Sequence, residues 1–480
     1  MADFETKIRN LIERTAANNN WRQRECINLI PSESTTSLIV KLCEICDPCG
    51  RYAEHRTMKG SEIYFYQATD FIRDVEEELR KELQSYFGCT NIELRPISGN
   101  MANEVVFKAM VKFLNRDKAK NQPLRKMKAV INNDLTKGGH LSAQPMGALF
   151  NFVADNPVTG GEHIYHFPVR KDNPYKTDTS LLGELIETVK PELVIFGKSM
   201  FLYKEPVKYV AEITRNMSNR PVIMFDMAHV LGLYGCFQAP FEEGADVVTG
   251  STHKTFFGPQ RGVVAGNMGQ DTGLDKLWIE IKGRAFPGST SNHHLGTLLA
   301  LLMATYEMNQ FKQEYQAQVI KNARAFARAL HDRGISVEGD AADGFTETHQ
   351  VVIRVRQYAS GEEIARRLEE NNIITNYQAL PDDGSFIGSS GIRMGTQEMT
   401  RFGMKEADFE QLAEYLAGCV TNNSNVKNQV KALRERFLTM QFCLPLEKSV
   451  PAAAEIFSSI LPGNEYLSRF ADNLKASVRK

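Results

Sequence analysis

Short, continuous apolar runs that alternate with helical segments constrain the fold of this 480-residue chain more than any other feature. Runs of this kind indicate strands buried on both faces, because a strand with one face in solvent alternates apolar and polar residues. Helical stretches such as 180–189 and 207–215 lie between several of the runs, which is typical of a mainly parallel sheet covered by helices. The predicted strands are 129–131, 193–196, 222–225, 246–249 and 262–265.

Helical periodicity and a further apolar run extend this pattern toward both termini. They predict a strand at 351–355, helices at 1–20, 72–86, 101–114, 362–370 and 405–417, and a long helix after His293. From about Val426 the chain is helical again, with an extended break around Leu444 and Pro445. The expected parts are a helical arm (1–27), a large domain (28–305), a smaller C-terminal domain (306–425) and a C-terminal helical extension (426–480).

Charge and cysteine content exclude several classes of protein. With 57 Lys and Arg against 58 Asp and Glu, the chain lacks the general positive field that binds nucleic acid or anionic membranes. Residues 1–20 lack a signal-peptide core, and the longest apolar stretch, around 295–306, is too short to span a bilayer. Eight cysteines are too few for a disulfide scaffold, so we expect reduced thiols and a cytoplasmic protein without nucleic-acid or membrane partners.

Two charged residues lie just after predicted strands, where ligands bind in open parallel sheets. Asp226 ends a buried strand and needs a cationic partner there, unless it only caps the next helix. Lys254 follows another strand in a loop of small residues. A lysine at a strand end is usually a solvated charge, but this placement favours a partly buried amine with a lowered pKa and nucleophilic character.

Three loops add further candidate groups. The turn at Ser98, Gly99 and Asn100 opens a helix and offers backbone N–H groups to an anion, although such a turn also serves as a simple cap. His140 follows two glycines, and Arg393 between glycines suits a carboxylate clamp as well as a surface turn. Amine, acid, anion cradle, flat ring and carboxylate clamp together are what pyridoxal phosphate and an amino-acid substrate require.

Eight strings of the sequence match one family pattern in order and approximate spacing: Asn28–Ser34, Arg51–Glu54, Ser98–Gly99 with Asn103, Gly138–Leu141, Asp226–His229, Thr252–Thr255, Phe286–Gly288 and Ser390–Gly395. On these strings the chain resembles the serine hydroxymethyltransferase family of fold-type I pyridoxal-phosphate enzymes. The resemblance implies an aspartate aminotransferase-like α/β fold. Its large domain holds a mainly parallel, seven-stranded type of sheet, and its C-terminal α/β domain is smaller.

The same resemblance implies a role for each matching residue. Lys254 would form the Schiff base, Asp226 would pair with the pyridine nitrogen, and His140 would stack on the ring. The implied catalytic residues are Lys254, Glu54, Tyr52, Asp226, His140, His229 and His253. The implied cofactor site also includes Ser98, Gly99, Asn100, Ser199, Ser291 and Asn292. The implied substrate site consists of Ser32, Tyr52, Glu54, Tyr66 and Arg393.

Tyr52 and Glu54 would enter the site from the neighbouring subunit, with Glu54 as general acid–base at the substrate hydroxyl. The resemblance thus implies a homodimer, or a dimer of dimers, with shared active sites. It further implies retro-aldol and aldol chemistry on β-hydroxy-α-amino acids. The leading hypothesis is hydroxymethyl transfer from serine, or an α-methylserine-like substrate, to tetrahydrofolate.

Departures from the family pattern keep other hypotheses open. Residues 65–68 read Phe-Tyr-Gln-Ala instead of Tyr-Tyr-Gly-Gly, and the segment His55–Ile63 is longer than usual. Residues 289–293 replace a Gln-Gly-Gly-Pro string, and Gln378 stands where the family has a folate-contacting asparagine. The alternative is a folate-independent threonine-type aldolase or transaldolase. A catalytically inactive binding protein is the third hypothesis, and the retained catalytic residues argue against it.

A run of thiols, Cys43, Cys46 and Cys49 with Cys26 upstream, has a spacing that also occurs in metal sites. The second pair that would strengthen a metal motif is missing. We therefore expect incidental thiols and no metal.

Overall fold

The computed structural model of the protein describes residues 3–58, 61–119, 121–384, 387–461 and 463–478. The α-helices are α1 (Phe4–Asn20), α2 (Leu38–Glu44), α3 (Asp70–Phe87), α4 (Gly99–Phe113), α5 (Thr179–Val189), α6 (Val207–Thr214), α7 (Asp275–Ala285), α8 (Leu295–Asp332), α9 (Gly361–Glu370), α10 (Gln397–Arg401), α11 (Glu406–Asn422), α12 (Lys427–Glu435), α13 (Leu446–Ile460) and α14 (Gly463–Val478). The strands are β1 (Ile27–Asn28), β2 (His55–Met58), β3 (Ser61–Tyr64), β4 (Asn91–Glu93), β5 (Val130–Asn132), β6 (Ile164–His166), β7 (Leu193–Phe196), β8 (Val222–Asp226), β9 (Val247–Ser251), β10 (Gly262–Gly266), β11 (Ser336–Val337), β12 (Gln350–Arg354), β13 (Ile373–Ile374), β14 (Asn376–Gln378) and β15 (Gly391–Gly395).

A seven-stranded sheet in the order β4-β10-β9-β8-β7-β5-β6 forms the centre of the larger part of the molecule. Strands β6, β5, β7, β8 and β9 pair in parallel, whereas β10 runs antiparallel to both β9 and β4. The predicted mainly parallel sheet is therefore confirmed. The observed β5, β7, β8, β9 and β10 overlap the five strands predicted from apolar runs.

Both faces of this sheet are buried, which explains its continuous apolar strands. Along β7, Leu193 and Ile195 belong to a core shared with α4 and α7, whereas Val194 and Phe196 face a core shared with α3, α5, α6 and α8. Each such side chain contributes about 1.5–3 kcal/mol when fully buried. Alternating apolar and polar residues would leave a polar group in one of the two cores.

The smaller part of the molecule is built on an antiparallel sheet in the order β11-β12-β15-β14. The C-terminal half of α8 shares its core with α9, α11 and α12. Strand β1 pairs in parallel with β13, and its Ile27 is buried in this same core. The chain thus visits the smaller part before entering the large sheet, and the predicted domain boundaries stay predictions.

The C-terminal extension folds back onto the large part of the molecule. Ala453 of α13 packs in a small cluster with Ile39 and Val40 of α2 and Ala300 of α8. Helix α14 contacts α13 through Phe470, whose ring centroid lies 5.7 Å from that of Phe457. Residues 1, 2, 462, 479 and 480 of the predicted arm and extension lie outside the described residues. Every helix in the described parts is too short or too polar to span a bilayer.

Candidate active site

Asp226 occupies the carboxyl end of the central strand β8 and is 1% exposed. Its Oδ2 accepts hydrogen bonds from Asn103 Nδ2 at 2.8 Å and from His140 Nδ1 at 2.5 Å, and its Oδ1 accepts one from the Ala228 N–H at 2.9 Å. Burial acts to raise the pKa of Asp226, but the charge and hydrogen bond of His140, with the other donors, hold it below its usual range. The site therefore keeps a buried carboxylate anion.

Asn103, one turn into α4, connects Asp226 to the neighbouring strand. Besides Asp226, its Nδ2 donates to Ser142 Oγ at 2.8 Å, and its Oδ1 accepts from Thr249 Oγ1 at 2.5 Å. All hydrogen-bonding atoms of this amide except one lone pair are thereby used. Sequence reasoning included Asn103 only as part of a matching string and missed this function, because its partners are 39 to 146 residues away.

Lys254 follows β9 and is 9% exposed. Burial lowers the pKa of Lys254 to about 8, with Asp226 acting to raise it and Arg393 to lower it further. The backbone is held by Ser34, whose Oγ donates to the Lys254 carbonyl at 2.5 Å. About a tenth of such an amine is unprotonated at pH 7, and only the unprotonated amine is nucleophilic. The lowered pKa is in line with the partly buried amine expected from the sequence, and the role of Lys254 as the nucleophile stays a prediction.

Two further histidines place unpaired nitrogens beside this lysine. Burial, followed by the charges of Lys254 and Arg393, holds the pKa of His229 well below its usual value. Burial and the neighbouring Lys254 lower the pKa of His253 to about 4. Nδ1 of both histidines is buried without a hydrogen-bond partner among the described residues. The His140 ring meets His229 edge to face at 5.3 Å.

The predicted anion turn lies at the N-terminus of the 15-residue helix α4. Ser98 is the N-cap, and its Oγ accepts a hydrogen bond from the Met101 N–H at 3.1 Å. A Cβ on Gly99 would lie 2.1 Å from Ser251 Oγ, so only glycine lets the turn approach β9 this closely. Free N–H groups and the positive helix end suit a phosphate. Asn100 is exposed.

Arg393 on β15 brings a buried guanidinium from the smaller sheet to this site, with 7% exposure. Its Nη1 donates to the Ser199 carbonyl at 2.7 Å, and its Nε and Nη2 lie 3.4 Å from Asn376 Oδ1. Arg393 forms no ion pair with a carboxylate of the described residues, and burial, the sole cause, lowers its pKa to about 10. A buried cation without a counter-ion is suited to bind an anionic ligand.

A further buried histidine, His349, lies near Arg393 and Lys254, and the sequence analysis did not identify it. His349 is fully buried, and burial lowers its pKa to about 3, with Arg393 and Lys254 acting in the same direction. Its Nε2 lies 3.1 Å from the Pro31 carbonyl, next to the half-buried Ser32. A lone histidine before a strand carries no motif that would have revealed this position.

The remaining predicted residues form a second group. Tyr52 and Tyr66 are 50% and 43% exposed, and their ring centroids lie 5.5 Å apart. Ser291 is exposed, Glu54 is half-buried, and Asn292 Nδ2 donates to the Arg51 carbonyl at 2.8 Å. In the described part of the chain, none of these five side chains hydrogen-bonds to the group around Lys254.

The cysteine run does not form a ligand cluster. Cys43, Cys46 and Cys49 are free thiols on α2 and the short helix after it. Across the described ranges, one group of His, Cys, Asp or Glu brings three ligand atoms within 4.8 Å of one another, and it consists of His55, Glu62 and Glu76.

Comparison with known proteins decides the family. The serine hydroxymethyltransferase family model matches residues 1–416. This chain belongs to the serine hydroxymethyltransferase family. It is 36% identical to a serine hydroxymethyltransferase of Pyrobaculum calidifontis over 458 residues, which covers 95% of this chain and 98% of that protein. It is also 35% identical to that of Sulfolobus acidocaldarius over 443 residues, covering 91% and 94%.

One solved structure with the same fold is an enzyme with a different named activity. The chain is similar to the L-threonine transaldolase of Pseudomonas fluorescens in its internal aldimine state, with a TM-score of 0.77 and 25% sequence identity. The match covers 93% of this chain and 97% of that one. Together these matches confirm the predicted family, the fold class and a pyridoxal-phosphate enzyme.

The residues present fit this cofactor on the geometry alone. A buried amine, a buried carboxylate anion and two unpartnered imidazole nitrogens meet beside an anion-binding helix end. Lys254, Asp226, His140 and the turn at Ser98 and Gly99 would hold it. The set matches what an aldehyde, a pyridine nitrogen and a phosphate ester require.

Proposed function

We propose that this enzyme makes and breaks the Cα–Cβ bond of β-hydroxy-α-amino acids, transferring a hydroxymethyl group from serine or an α-methylserine-like substrate to tetrahydrofolate. The observation that carries the proposal is the buried, uncompensated Arg393 beside the Lys254 amine and the Asp226 carboxylate. This arrangement suits a substrate that has both a carboxylate and an amine. Similarity to proteins named serine hydroxymethyltransferase over 95% of the chain supports the reaction class.

Bound pyridoxal phosphate supplies an electron sink for the pair released at Cα. The side chains would divide the remaining work. Lys254, with its pKa near 8, offers a neutral amine, and Asp226 holds a negative charge behind the pyridine nitrogen. Arg393 orients the substrate through its carboxylate, and His229 and His253 stay neutral, so neither adds charge beside Lys254. Glu54 would take the proton of the β-hydroxyl.

We infer that Tyr52, Glu54, Ser291 and Asn292 act in the site of a partner subunit. Within the described residues of one chain their side chains make no hydrogen bond to the Lys254 group, which supports this inference. Helix α1 supports a dimer as well: it buries none of its residues in its own chain, although Phe4, Ile8, Leu11 and Ile12 form an apolar stripe. A homodimer or a dimer of dimers would cover that stripe. All eight cysteines are free, which supports a cytoplasmic location.

A threonine-type transaldolase without folate is the second candidate. Gln378 in place of the folate-contacting asparagine favours it, and so do the altered residues 65–68 beside Tyr66. The structural similarity to the Pseudomonas fluorescens L-threonine transaldolase also supports this candidate.

A substrate panel distinguishes the two candidates. Serine, α-methylserine, threonine and β-phenylserine are incubated with and without tetrahydrofolate, and aldehyde and amino-acid products are quantified. Folate-dependent serine turnover supports the hydroxymethyltransferase, whereas folate-independent threonine cleavage with poor serine turnover would replace it by the transaldolase. Lys254→Ala is the control: borohydride should trap pyridoxal in the wild type and not in this variant. A wild-type protein that binds no pyridoxal phosphate would refute both.

A further inference from the structure

Two sequence departures that lie far apart in the chain meet at one side chain, Glu76 of α3. The first is the segment His55–Ile63, whose residues 59 and 60 lie outside the described residues. The second is the string 289–293. His293 Nε2 donates to Glu76 Oε1 at 2.6 Å, and His55 Nε2 lies 3.3 Å from Glu76 Oε2. Both strings that differ from the family pattern thus contribute an imidazole to the same carboxylate.

This carboxylate clasp, formed by His55, Glu76 and His293, is buried, and its carboxylate is ionised. The three residues are 3%, 1% and 1% exposed, and Tyr64 Oη also donates to Glu76 Oε2 at 3.1 Å. Burial acts to raise the pKa of Glu76, but the hydrogen bond and charge of His293, then His55 and Arg80, lower it to about 2. A buried carboxylate with this many donors fixes its partners in place.

Each imidazole of the clasp is tied to residues of the proposed shared site. His55 Nδ1 donates to the carbonyl of Ala53, which lies between Tyr52 and Glu54 in the chain. His293 directly follows Asn292 in the chain, and Asn292 Nδ2 donates to the Arg51 carbonyl. The clasp therefore holds the segment 51–55 and the segment 291–293 as one unit.

Ligand atoms of His55, Glu62 and Glu76 lie close enough together to hold a metal ion. The charges around the clasp nevertheless favour a structural role for it over a metal centre. Arg80 lies 3.7 Å from both Glu62 and Glu76, and Lys282 lies 3.9 Å from Glu62. Two cations already balance the two carboxylates, so a divalent ion would meet repulsion.

We propose that Glu76 is a positioning residue that clasps His55 and His293 so that Tyr52, Glu54, Ser291 and Asn292 enter the partner subunit's active site together. The inference rests on the proposed function in one respect, the active site shared between subunits. Glu76 itself would touch neither substrate nor cofactor.

Hybrid dimers test this proposal, with Glu76→Gln as the variant and Glu77→Gln, an exposed neighbour on α3 paired with Lys81, as the matched control. The reference hybrid pairs a wild-type subunit with Lys254→Ala, so that one site remains. Hybrid one pairs Glu76→Gln with Lys254→Ala. Hybrid two pairs a wild-type subunit with the Lys254→Ala, Glu76→Gln double variant.

The proposal predicts opposite outcomes for the two hybrids. In hybrid one the intact lysine site receives Tyr52 and Glu54 from a subunit that retains Glu76, so kcat/KM should equal that of the reference. In hybrid two the same residues come from a subunit without it, and kcat/KM should fall about tenfold, the effect of losing one charge-assisted hydrogen bond. The Glu77→Gln hybrids should match the reference. The reverse pattern, or equal values in both hybrids, would overturn the proposal.

Two further measurements keep the test decisive. If Glu76→Gln does not fold, as judged by circular dichroism and gel filtration, His293→Gln removes one arm of the clasp and the same two hybrids are made with it. If the reference hybrid turns over no β-hydroxy amino acid, the proposed function has failed. The clasp is then scored by the change in cofactor absorbance on adding β-hydroxy amino acids, with the same opposite outcomes expected.

Discussion

Single charged residues that are buried without full compensation give this site its chemistry. Asp226 stays ionised because donors surround it. The pKa of Lys254 is lowered because burial outweighs the effect of Asp226, and the pKa of Arg393 is lowered by burial alone. The net charge of −1 provides no general attraction for anionic ligands. Capture of a phosphate ester and a carboxylate must therefore depend on these local groups.

The pKa of Lys254, near 8, predicts how the apoenzyme captures its cofactor. The unprotonated amine is the nucleophile, so the rate of pyridoxal-phosphate capture should rise with pH through about 8 and level off above it. Asp226→Asn removes an anion that raises this pKa, so its midpoint should move to lower pH. Stopped-flow absorbance measures both rates, and a rate that is flat or falls between pH 7 and 9 would contradict the assignment.

Asn103 should contribute to stability through its three buried hydrogen bonds. Asn103→Ala leaves Thr249 and Ser142 without this partner and should destabilise the apoenzyme by about 1–3 kcal/mol. Thermal unfolding measures the change. Asn100→Ala, an exposed position one turn earlier on α4, serves as the control and should leave the melting temperature nearly unchanged. Equal effects of the two substitutions would argue against the network.

Close contact between elements shapes the phosphate turn. Strand β10 passes so near the N-terminus of α4 that a Cβ on Gly262 would lie 2.1 Å from the Ser98 carbonyl oxygen. The neighbouring strand β9 approaches Gly99 equally closely. The turn is thus held by two strands, which fixes the direction of its N–H groups.

Gly262→Ala should displace this turn and weaken cofactor retention, because backbone atoms cannot give way as a flexible side chain does. Gly283→Ala is the matched control: it lies in α7 with open space around it and should stabilise the protein by about 0.5–1 kcal/mol. Equilibrium dialysis of pyridoxal phosphate and thermal melts provide the measurements. Retention unchanged in Gly262→Ala would show that the turn does not hold the phosphate.

The elements also show where sequence patterns are informative. Central strands such as β7 and β8 were predicted because burial on both faces leaves a continuous apolar run. The edge strands β4 and β6 and the hairpin β2–β3 were missed, because they are short and mix polar with apolar residues. No local pattern distinguishes such segments from loops.

At the scale of the whole molecule, the contacts within a single chain do not explain how α1 is stabilised. A 17-residue helix with no buried residue is marginal alone in water. Its exposed apolar stripe includes Phe4 at 76% and Leu11 at 65% exposure. The helix gains stability only if another surface covers it.

Deleting residues 1–20 should therefore weaken self-association while leaving the fold of each subunit intact. Light scattering after gel filtration should show a shift toward monomer at micromolar concentration, and circular dichroism should show loss of helix only in proportion to the deletion. Substituting the exposed Lys7 by Ala, outside the stripe, is the control. A dimer of unchanged stability in the deletion variant would assign α1 no part in assembly.

The sequence by itself determined the central strands of the sheet, the family and the residues expected at strand ends, since burial and backbone geometry impose patterns within a few consecutive residues. Lys254 and Asp226 were predicted for that reason. Tertiary structure alone decided that Asn103 meets Asp226 and that Glu76 meets both His55 and His293. These contacts join elements up to 217 residues apart. Their energy depends on distance and burial in three dimensions, which no local pattern in the chain encodes.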